Sequence, residues 1–512
     1  MIIITIALSS AMVFYGLHKT KLKTPLHKLT LNTADDQRGK LLAGRYCASC
    51  HQFPDPALLP KNSWKNAVLP AMGIFLGVEN ASVSFKAQGK DLIPAGPLIS
   101  VKEWQAIQQY YIGSAPESLA AAEREKIKFG LPSFEVLLPK QPIFYSNFAL
   151  ATYVKINPEA NHGLFIQDGI SNQLYQISAQ LDTSKSSEMP GTLVNIDLGA
   201  RPKLATFIGG SYMASQTNGG RVYAFNPHAF HQLSSTKPIF SSLSRPLKSL
   251  KMDLNGDGLQ DVLIGEFGRL AGQLSWEEAT RDGSYKKHIL RSMPGIIDFV
   301  VTDMNGDGKP DIYALFAQGD EGLFLFRNLG KGKFNTEKLL SFPPVYGSSS
   351  FELVDFNRDG HKDILYTCGD NADLSPILKP YHGIYIFLND KKGQFRKSFF
   401  YPMNGCYKAI ARDFDLDGDL DIASISAFPA ASSPWEAFVY LQNQGNLKFE
   451  GYTLAKNVPF QKGLTMDSGD FNGDGKPDLL LGNKYYSSDK SCESQPLFIL
   501  LKNTSSINKK IK

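Results

Sequence analysis

The chain has 512 residues, 43% of them hydrophobic, enough apolar material for two or more domains, or for one domain followed by a repeat array. Its 54 Lys and Arg stand against 49 Asp and Glu, with no long basic run, so a nucleic-acid partner is not expected.

The N-terminus, "MIIITIALSSAMVFYGL", is an uncharged apolar run that ends where Lys19, Lys21 and Lys23 begin. It falls short of the roughly 20 residues of a full membrane span and within the range of a signal-peptide core. Residues 1–30 are therefore expected to form an export signal or membrane anchor. The positive residues that usually precede such a core are missing, and the lysines behind it favour cytoplasmic retention of the downstream chain.

The next signal is Cys47-Ala-Ser-Cys50-His51. A four-cysteine zinc site needs a second close pair, whereas Cys368, Cys406 and Cys492 are scattered far downstream. A redox dithiol of the thioredoxin type needs a βαβ setting, and this segment reads as helix, loop and helix. Two thiols followed at once by an imidazole are what covalent haem requires: two thioethers and one iron ligand. Between His27 and His162 the only histidine is His51, and between Met12 and Met189 the only methionine is Met72, which makes Met72 the candidate second ligand. The alternative is a core methionine and a five-coordinate iron. His/Met ligation suits electron transfer; an open position suits small-ligand chemistry.

Around this motif "DDQRGKLLAGRYC" predicts one helix, and the capping box Ser100-Val-Lys-Glu103 opens a second, "SVKEWQAIQQYYIG", with Trp104 and Tyr111 as packing residues on its apolar side. Residues 33–115 resemble a small monohaem c-type cytochrome, and "LPAMG" around Met72 resembles the methionine loop of that family. The resemblance implies an all-α domain carrying haem c on Cys47, Cys50, His51 and Met72.

Residues 116–144 read as a connector: "PESLAAAEREKIKFG" predicts a short charged helix, and Pro132, Pro139 and Pro142 punctuate the rest of it. Beyond it five segments answer to one another: "DLNGDGLQDVLIG", "DMNGDGKPDIYAL", "DFNRDGHKDILYT", "DFDLDGDLDIASI" and "DFNGDGKPDLLLG", beginning at Asp253, Asp303, Asp355, Asp413 and Asp470. A period of roughly 50 residues marks a propeller or solenoid.

Each copy places oxygen side chains at positions 1, 3, 5 and 9. These are Asp253, Asn255, Asp257 and Asp261; Asp303, Asn305, Asp307 and Asp311; Asp355, Asn357, Asp359 and Asp363; Asp413, Asp415, Asp417 and Asp421; and Asp470, Asn472, Asp474 and Asp478. The position-7 backbone, at Leu259, Lys309, His361, Asp419 and Lys476, would add a carbonyl. Calcium takes six to eight such hard oxygens. An EF-hand is excluded, because position 12 is Ile264, Ala314, Tyr366, Ser424 or Leu481 in an apolar strand instead of a bidentate Glu. Asp, Asn and Gly also make plain turns, but five intact copies favour five structural calcium ions.

These loops resemble FG-GAP or VCBS repeats, the blades of integrin-α-type propellers. Over residues 145–505 the resemblance implies an all-β propeller. With the metal-free strand pairs "HGLFIQDG"/"NQLYQIS" and "LATFIGG"/"RVYAFNP", seven blades are expected. The connectors inside each blade should converge on one end as a binding face, with Glu266, Arg269, Asp370, Asn371, Asp373, Lys379, His382, Trp435 and Tyr485 as candidates. For each one, edge cover or plain solvation is the competing reading. Cys368 and Cys406 are expected near one another as a potential disulfide, leaving Cys492 over.

The whole chain thus reads as multidomain, an α cytochrome-like domain followed by the β-propeller, set in a bacterial periplasm or on the cell surface. Three functions fit: electron transfer with the propeller docking a redox partner or envelope component; a haem-dependent oxidoreductase acting on a small molecule or glycan; or non-redox adhesion. Electron transfer ranks first, because the cysteine–histidine set is intact. No serine triad, phosphate loop or glycosidase pair of carboxylates is present, so hydrolysis is unsupported.

Overall fold

The computed structural model describes residues 33–81, 93–157, 163–199, 202–210, 212, 216–371, 376–488 and 493–506. The N-terminal apolar run, Asp373 and Cys492 lie outside the described residues.

The N-terminal part is helical. α1 (Thr33–Tyr46), α2 (Leu69–Phe75) and α3 (Val101–Ser114) surround one apolar cluster of Leu59, Trp64, Leu69, Trp104, Ile107 and Tyr111. α3 opens with the expected capping box, the Ser100 hydroxyl taking the Glu103 N–H while the Glu103 carboxylate takes the Ser100 N–H. Trp104 and Tyr111 are buried, as helical spacing predicts. Gly39 sets how closely α1 and α3 approach: a Cβ there would collide with the Ala106 carbonyl and the Tyr110 side chain.

Residues 116–127 are not helical, contrary to the expectation from their Ala, Glu and Lys content. The segment is held extended across the strands instead. Arg124 pairs with the buried Glu436 at 2.5 Å and with Ser433 at 3.2 Å, and Lys128–Phe129 then joins Tyr452 and Thr453 in parallel. Tertiary contacts of this kind outweigh the few tenths of a kcal/mol per residue that propensity offers.

The remaining described residues form seven antiparallel quartets. The first runs Phe148–Ile156, Leu164–Asp168, Gln173–Ile177, Thr183–Glu188, and the second Leu193–Asp197, Lys203–Phe207, Gly220–Phe225, Phe240–Leu243. The third is Pro246–Met252, Asp261–Glu266, Gln273–Ala279, Tyr285–Arg291, and the fourth Ile296–Thr302, Asp311–Phe316, Gly322–Gly330, Lys333–Ser341. The fifth is Ser348–Val354, Asp363–Cys368, Gly383–Asn389, Phe395–Pro402, and the sixth Cys406–Arg412, Asp421–Ser426, Phe438–Asn443, Phe449–Thr453. The seventh takes Gly463–Gly469, Asp478–Tyr486 and Phe498–Asn503 from the C-terminus and its outer strand, Phe134–Leu137, from the N-terminal side. Lys484–Tyr486 also pairs with Phe148–Leu150, joining the seventh quartet to the first.

Burial explains the sequence pattern within a quartet. Second strands such as "DIYALF" and "DILYTC" are buried at every position, because neighbouring sheets cover both faces. Fourth strands such as "KFNTEKLLS" are largely exposed and carry the lysines that protect an edge. First strands touch one another in order, first quartet to second and onward to the seventh, and the seventh touches the first.

Candidate functional sites: the cysteine–histidine turn, the acidic loops and the connector face

α1 ends at Tyr46, and Cys47–Ser49 form a single 3-10 turn, so both thiols leave one short piece of backbone. Both are free, Cys47 half-buried and Cys50 exposed. Burial pushes the Cys47 thiol up to about 11, partly offset by a hydrogen bond with Tyr111. His51 Nδ1 lies 2.9 Å from the Gln52 carbonyl oxygen. With that nitrogen donating, Nε2 keeps the ring's lone pair. The segment behind it is pinned by Tyr111, whose hydroxyl donates to the Pro54 carbonyl at 3.0 Å, and by Trp64, whose indole donates to Pro56 at 2.9 Å. Met72, in α2, is half-buried and packs against the same cluster as Tyr46, Cys47 and Phe53. The structure therefore brings Cys47 and Met72 to one apolar surface, with two free thiols and an oriented imidazole beside it. This donor set fits a covalent haem.

The five acidic loops each link the first strand of a quartet to its second. Position 1 closes the turn: Asp253 accepts the Gly256 and Gly258 N–H groups at 2.7 and 2.9 Å, Asp303 accepts those of Gly306 and Gly308, and Asp470 those of Gly473 and Gly475. Asp355 accepts Gly360, and Asp413 accepts the Asp417 and Gly418 N–H groups. Position 3 accepts the position-5 N–H in every loop, from Asn255, Asn305, Asn357, Asp415 and Asn472. Position 5 accepts the position-7 N–H in the same way, so Asp257, Asp307, Asp359, Asp417 and Asp474 bind the backbone of Leu259, Lys309, His361, Asp419 and Lys476. The fourth position must be left-handed. Gly256, Gly306 and Gly473 suit it, but the third and fourth loops hold Arg358 and Leu416 there, at φ 56° and 60°.

Position 9 is the buried anchor. Asp261, Asp363, Asp421 and Asp478 are 0% exposed and Asp311 1%. Burial raises all five carboxyls, to about 7 at Asp421 and about 6 at Asp478. The Oδ2 of Asp311 and the Oδ1 of Asp413 have no hydrogen-bond partner, and oxygens of Asp413, Asp415 and Asp421 lie within 4.8 Å of one another. Buried carboxylates with oxygens to spare fit a hard divalent cation. A polar cavity of about 350 Å³ adjoins the fourth loop, lined by Asp415, Asp417, Gln442 and Thr504 among others.

Sequence reasoning passed over an asparagine that closes the third strand of four quartets. The N–H groups of Asn328, Asn389, Asn443 and Asn503 donate to the position-9 carboxylates Asp311, Asp363, Asp421 and Asp478 at 2.7–2.9 Å. Their side-chain amides clamp the acidic loops, and two reach across to the preceding quartet: Asn328 Nδ2 donates to the Leu254 carbonyl and Asn503 Nδ2 to that of Phe414. The signal was in plain view, since "FRN", "FLN", "LQN" and "LKN" recur at or within two residues of the ends of the corresponding strands.

The connector candidates separate. Glu266 is buried under Ser244, Gln273 and Lys287. Lys379 and His382 are buried too, at 4% and 1%, the His382 ring meeting the edge of Tyr381, which stacks on Tyr346. Arg269 is exposed, its backbone held by Gln216, and Asn371 Nδ2 donates to the Ile377 carbonyl. Trp435 covers an edge against Phe129, and Tyr485 packs on the core between the first and seventh quartets. Asp370 is half-buried. Cys368 and Cys406 are both buried free thiols, not a disulfide: Cys368 Sγ donates to the Tyr381 carbonyl and Cys406 Sγ meets Ser424 Oγ. The helical part rests on this end of the sheets. Tyr381 donates to the Leu58 carbonyl at 3.0 Å, Ser341 meets Gln52 at 3.4 Å, and Val345 and Ile377 join the helical cluster.

No curated protein sequence matches the chain. Similar solved structures include the N-terminal domain of Nup159, at 13% identity over 75% of this chain and 99% of that one with a TM-score of 0.42. BBS1N in complex with ARL6DN gives 10% identity, the same coverages and 0.43, and at such scores neither bears on what this chain does. A family model described as an FG-GAP-like repeat matches residues 253–314, 303–366 and 413–481. The chain carries FG-GAP-like repeats in an all-β fold that resembles a β-propeller, with a small helical part ahead of it.

Proposed function

We propose that the protein is an exported c-type cytochrome for electron transfer, in which a calcium-braced, seven-bladed propeller presents the connector face to a redox partner or envelope component. What carries the reading is the Cys47–Cys50–His51 turn, with both thiols free and the imidazole held by Gln52, set on the cluster that also packs Met72. Cys47 and Cys50 would each add a thiol across a vinyl group, and His51 Nε2 and Met72 Sδ would ligate iron. Bound there, haem c would supply a one-electron couple. The residues around it have separate tasks: Tyr111 and Trp64 fix the backbone behind His51, Phe53 and Tyr46 limit water, and Tyr381 and Ser341 hold the turn on the propeller. The closed order of first strands supports seven blades, and the orphaned oxygens of Asp311 and Asp413 support calcium. An N-terminal export segment and haem attachment both suit a bacterial periplasm or cell surface.

A second reading is favoured by that docking: an oxidoreductase that removes electrons from a small molecule held on the connector face. Optical redox titration of the holoprotein with and without carbon monoxide separates the two. A low-spin reduced spectrum indifferent to carbon monoxide, lost in Met72→Ala, supports electron transfer. A high-spin iron that binds carbon monoxide favours the oxidoreductase, and normal covalent haem in Cys50→Ser refutes the anchor.

A further inference from the structure

The fourth acidic loop, Asp413–Asp421 in the sixth quartet, touches the strands that close the ring. Its second residue, Phe414, lies in sequence between the proposed ligands Asp413 and Asp415 and is 0% exposed. The Phe414 carbonyl accepts from Asn503 Nδ2 and from Ser505 Oγ, both at 2.8 Å, and these donors stand at and just past the end of the seventh quartet's third strand. The Phe414 ring meets Phe134, the first residue of that quartet's outer strand, at 5.6 Å between centroids. Phe134 in turn meets Tyr440 at 5.6 Å, and the Tyr440 hydroxyl donates to Asp421 Oδ2 at 2.8 Å. The same oxygen accepts the Phe414 N–H at 3.2 Å. Loop and closing strands are therefore joined through one residue, Phe414, and one anchor, Asp421.

The first loop makes the matching contact elsewhere. There the Leu254 carbonyl accepts from Asn328, and that bond joins two quartets each made from one continuous run of chain. The fourth loop instead holds Phe134–Leu137 and Phe498–Asn503, which pair only when the ring closes. Its grip depends on its shape, and two features oppose that shape. Leu416 sits at φ 60°, a left-handed conformation unfavourable to any residue but glycine. Oxygens of Asp413, Asp415 and Asp421 lie within 4.8 Å of one another, where ionised carboxylates repel. A divalent cation shared by these oxygens removes the repulsion and gives the buried, unpartnered Asp413 Oδ1 a ligand to bind.

We propose that the fourth loop is a calcium-dependent latch on ring closure: the ion, by holding Asp413 and Asp415, fixes Phe414 as the acceptor and packing surface for the two closing strands. The proposal rests on the calcium reading of the acidic loops and adds which loop governs which strands. Hydrogen exchange of the full chain, read by mass spectrometry at fixed pH in calcium and in chelator, tests it, with calcium binding itself measured by titration calorimetry. If the closing strands open only when the fourth loop releases its ion, their exchange slows by a factor of one plus the ratio of free calcium to its dissociation constant, about tenfold at a tenfold excess. Chelation should therefore speed exchange over 134–137 and 498–503 by about tenfold or more. Asp413→Asn should exchange as fast there even in calcium. Asp253→Asn should lose calcium protection over its own loop, 253–261, and keep it over the closing strands. Equal exchange of the closing strands with and without calcium overturns the latch. So does full protection in a folded Asp413→Asn, or lost protection in Asp253→Asn; should Asp413→Asn fail to fold, the parent and Asp253→Asn still decide. Absence of calcium binding overturns the calcium reading and the latch together, whereas calcium that protects the loops but not the closing strands removes the latch alone.

Discussion

Truncating Asn328 to Ala tests whether the asparagine clamp holds neighbouring quartets together. The side chain is 2% exposed and makes three hydrogen bonds: Nδ2 donates to the Leu254 carbonyl at 2.9 Å and the Pro310 carbonyl at 3.2 Å, and Oδ1 accepts the Gly330 N–H at 2.8 Å. Leu254 is itself buried, so its carbonyl has poor recourse to water after truncation. A buried group left unpaired costs about 1–3 kcal/mol, and with one group fully stranded and two partly so the loss is about 3–5 kcal/mol. Unfolding entropy of about 2.1 cal/mol/K per residue over about 370 residues is roughly 0.8 kcal/mol/K, so a cooperative ring should melt about 4–6 °C lower. Differential scanning calorimetry reads the shift. Asn66→Ala, on the exposed surface of the helical part, is the control and should move the melt by less than about 1 °C. Asn328→Asp should be at least as damaging as Ala, because it turns an oxygen toward two carbonyls. A melt of Asn328→Ala within 1 °C of the parent would refute the clamp.

The calcium proposed for the acidic loops would make stability depend on the ion. At a hundredfold excess over its dissociation constant, each site would add about 2.7 kcal/mol, or about 3.4 °C on the same scale, so chelation that empties all five should lower the propeller melt by about 15 °C or more while sparing the spectrum of the proposed haem. An unchanged melt after verified metal removal would dispose of the structural ions. Glu321 supplies a pH dependence. It is 1% exposed, accepts the Ser348 N–H at 2.7 Å, leaves Oε2 unpartnered, and is lifted by burial from 4.5 to about 8 despite Lys379 nearby. The folded chain thus binds the extra proton between those values, and stability should fall as pH rises from about 4.5 to 8. Glu321→Gln, melted across that range, should flatten this slope; an identical slope would show that the carboxyl does not titrate as described.

How much was legible in the sequence depended on the range of the contacts. The acidic loops and the strands behind them could be read because a repeat writes one local answer several times. The capping box at Ser100 was legible for the same reason, since a cap is decided within four residues. The segment 116–127 was misread because its composition favours a helix, while its conformation is set by Glu436 and Ser433, more than 300 positions away. Glu266, Lys379 and His382 looked like surface polar residues. Their burial comes from which connectors pack over them, and no local pattern encodes that.

The outer strand of the seventh quartet has a consequence for how the molecule is made. Phe134 pairs with Asn503 and Leu137 with Leu500, so a strand synthesised ahead of all seven quartets' other strands finds its partner only after the rest of them are made. Until then the growing protein is an open arc with unsatisfied edges at both ends, the condition in which chains stick to one another. Closure spans nearly the whole sheet region and is expected to be the slow step of folding. Loss of only Phe498–Asn503 would leave Phe134–Leu137 without its partner, so that one strand acts as a completeness check on the seventh quartet.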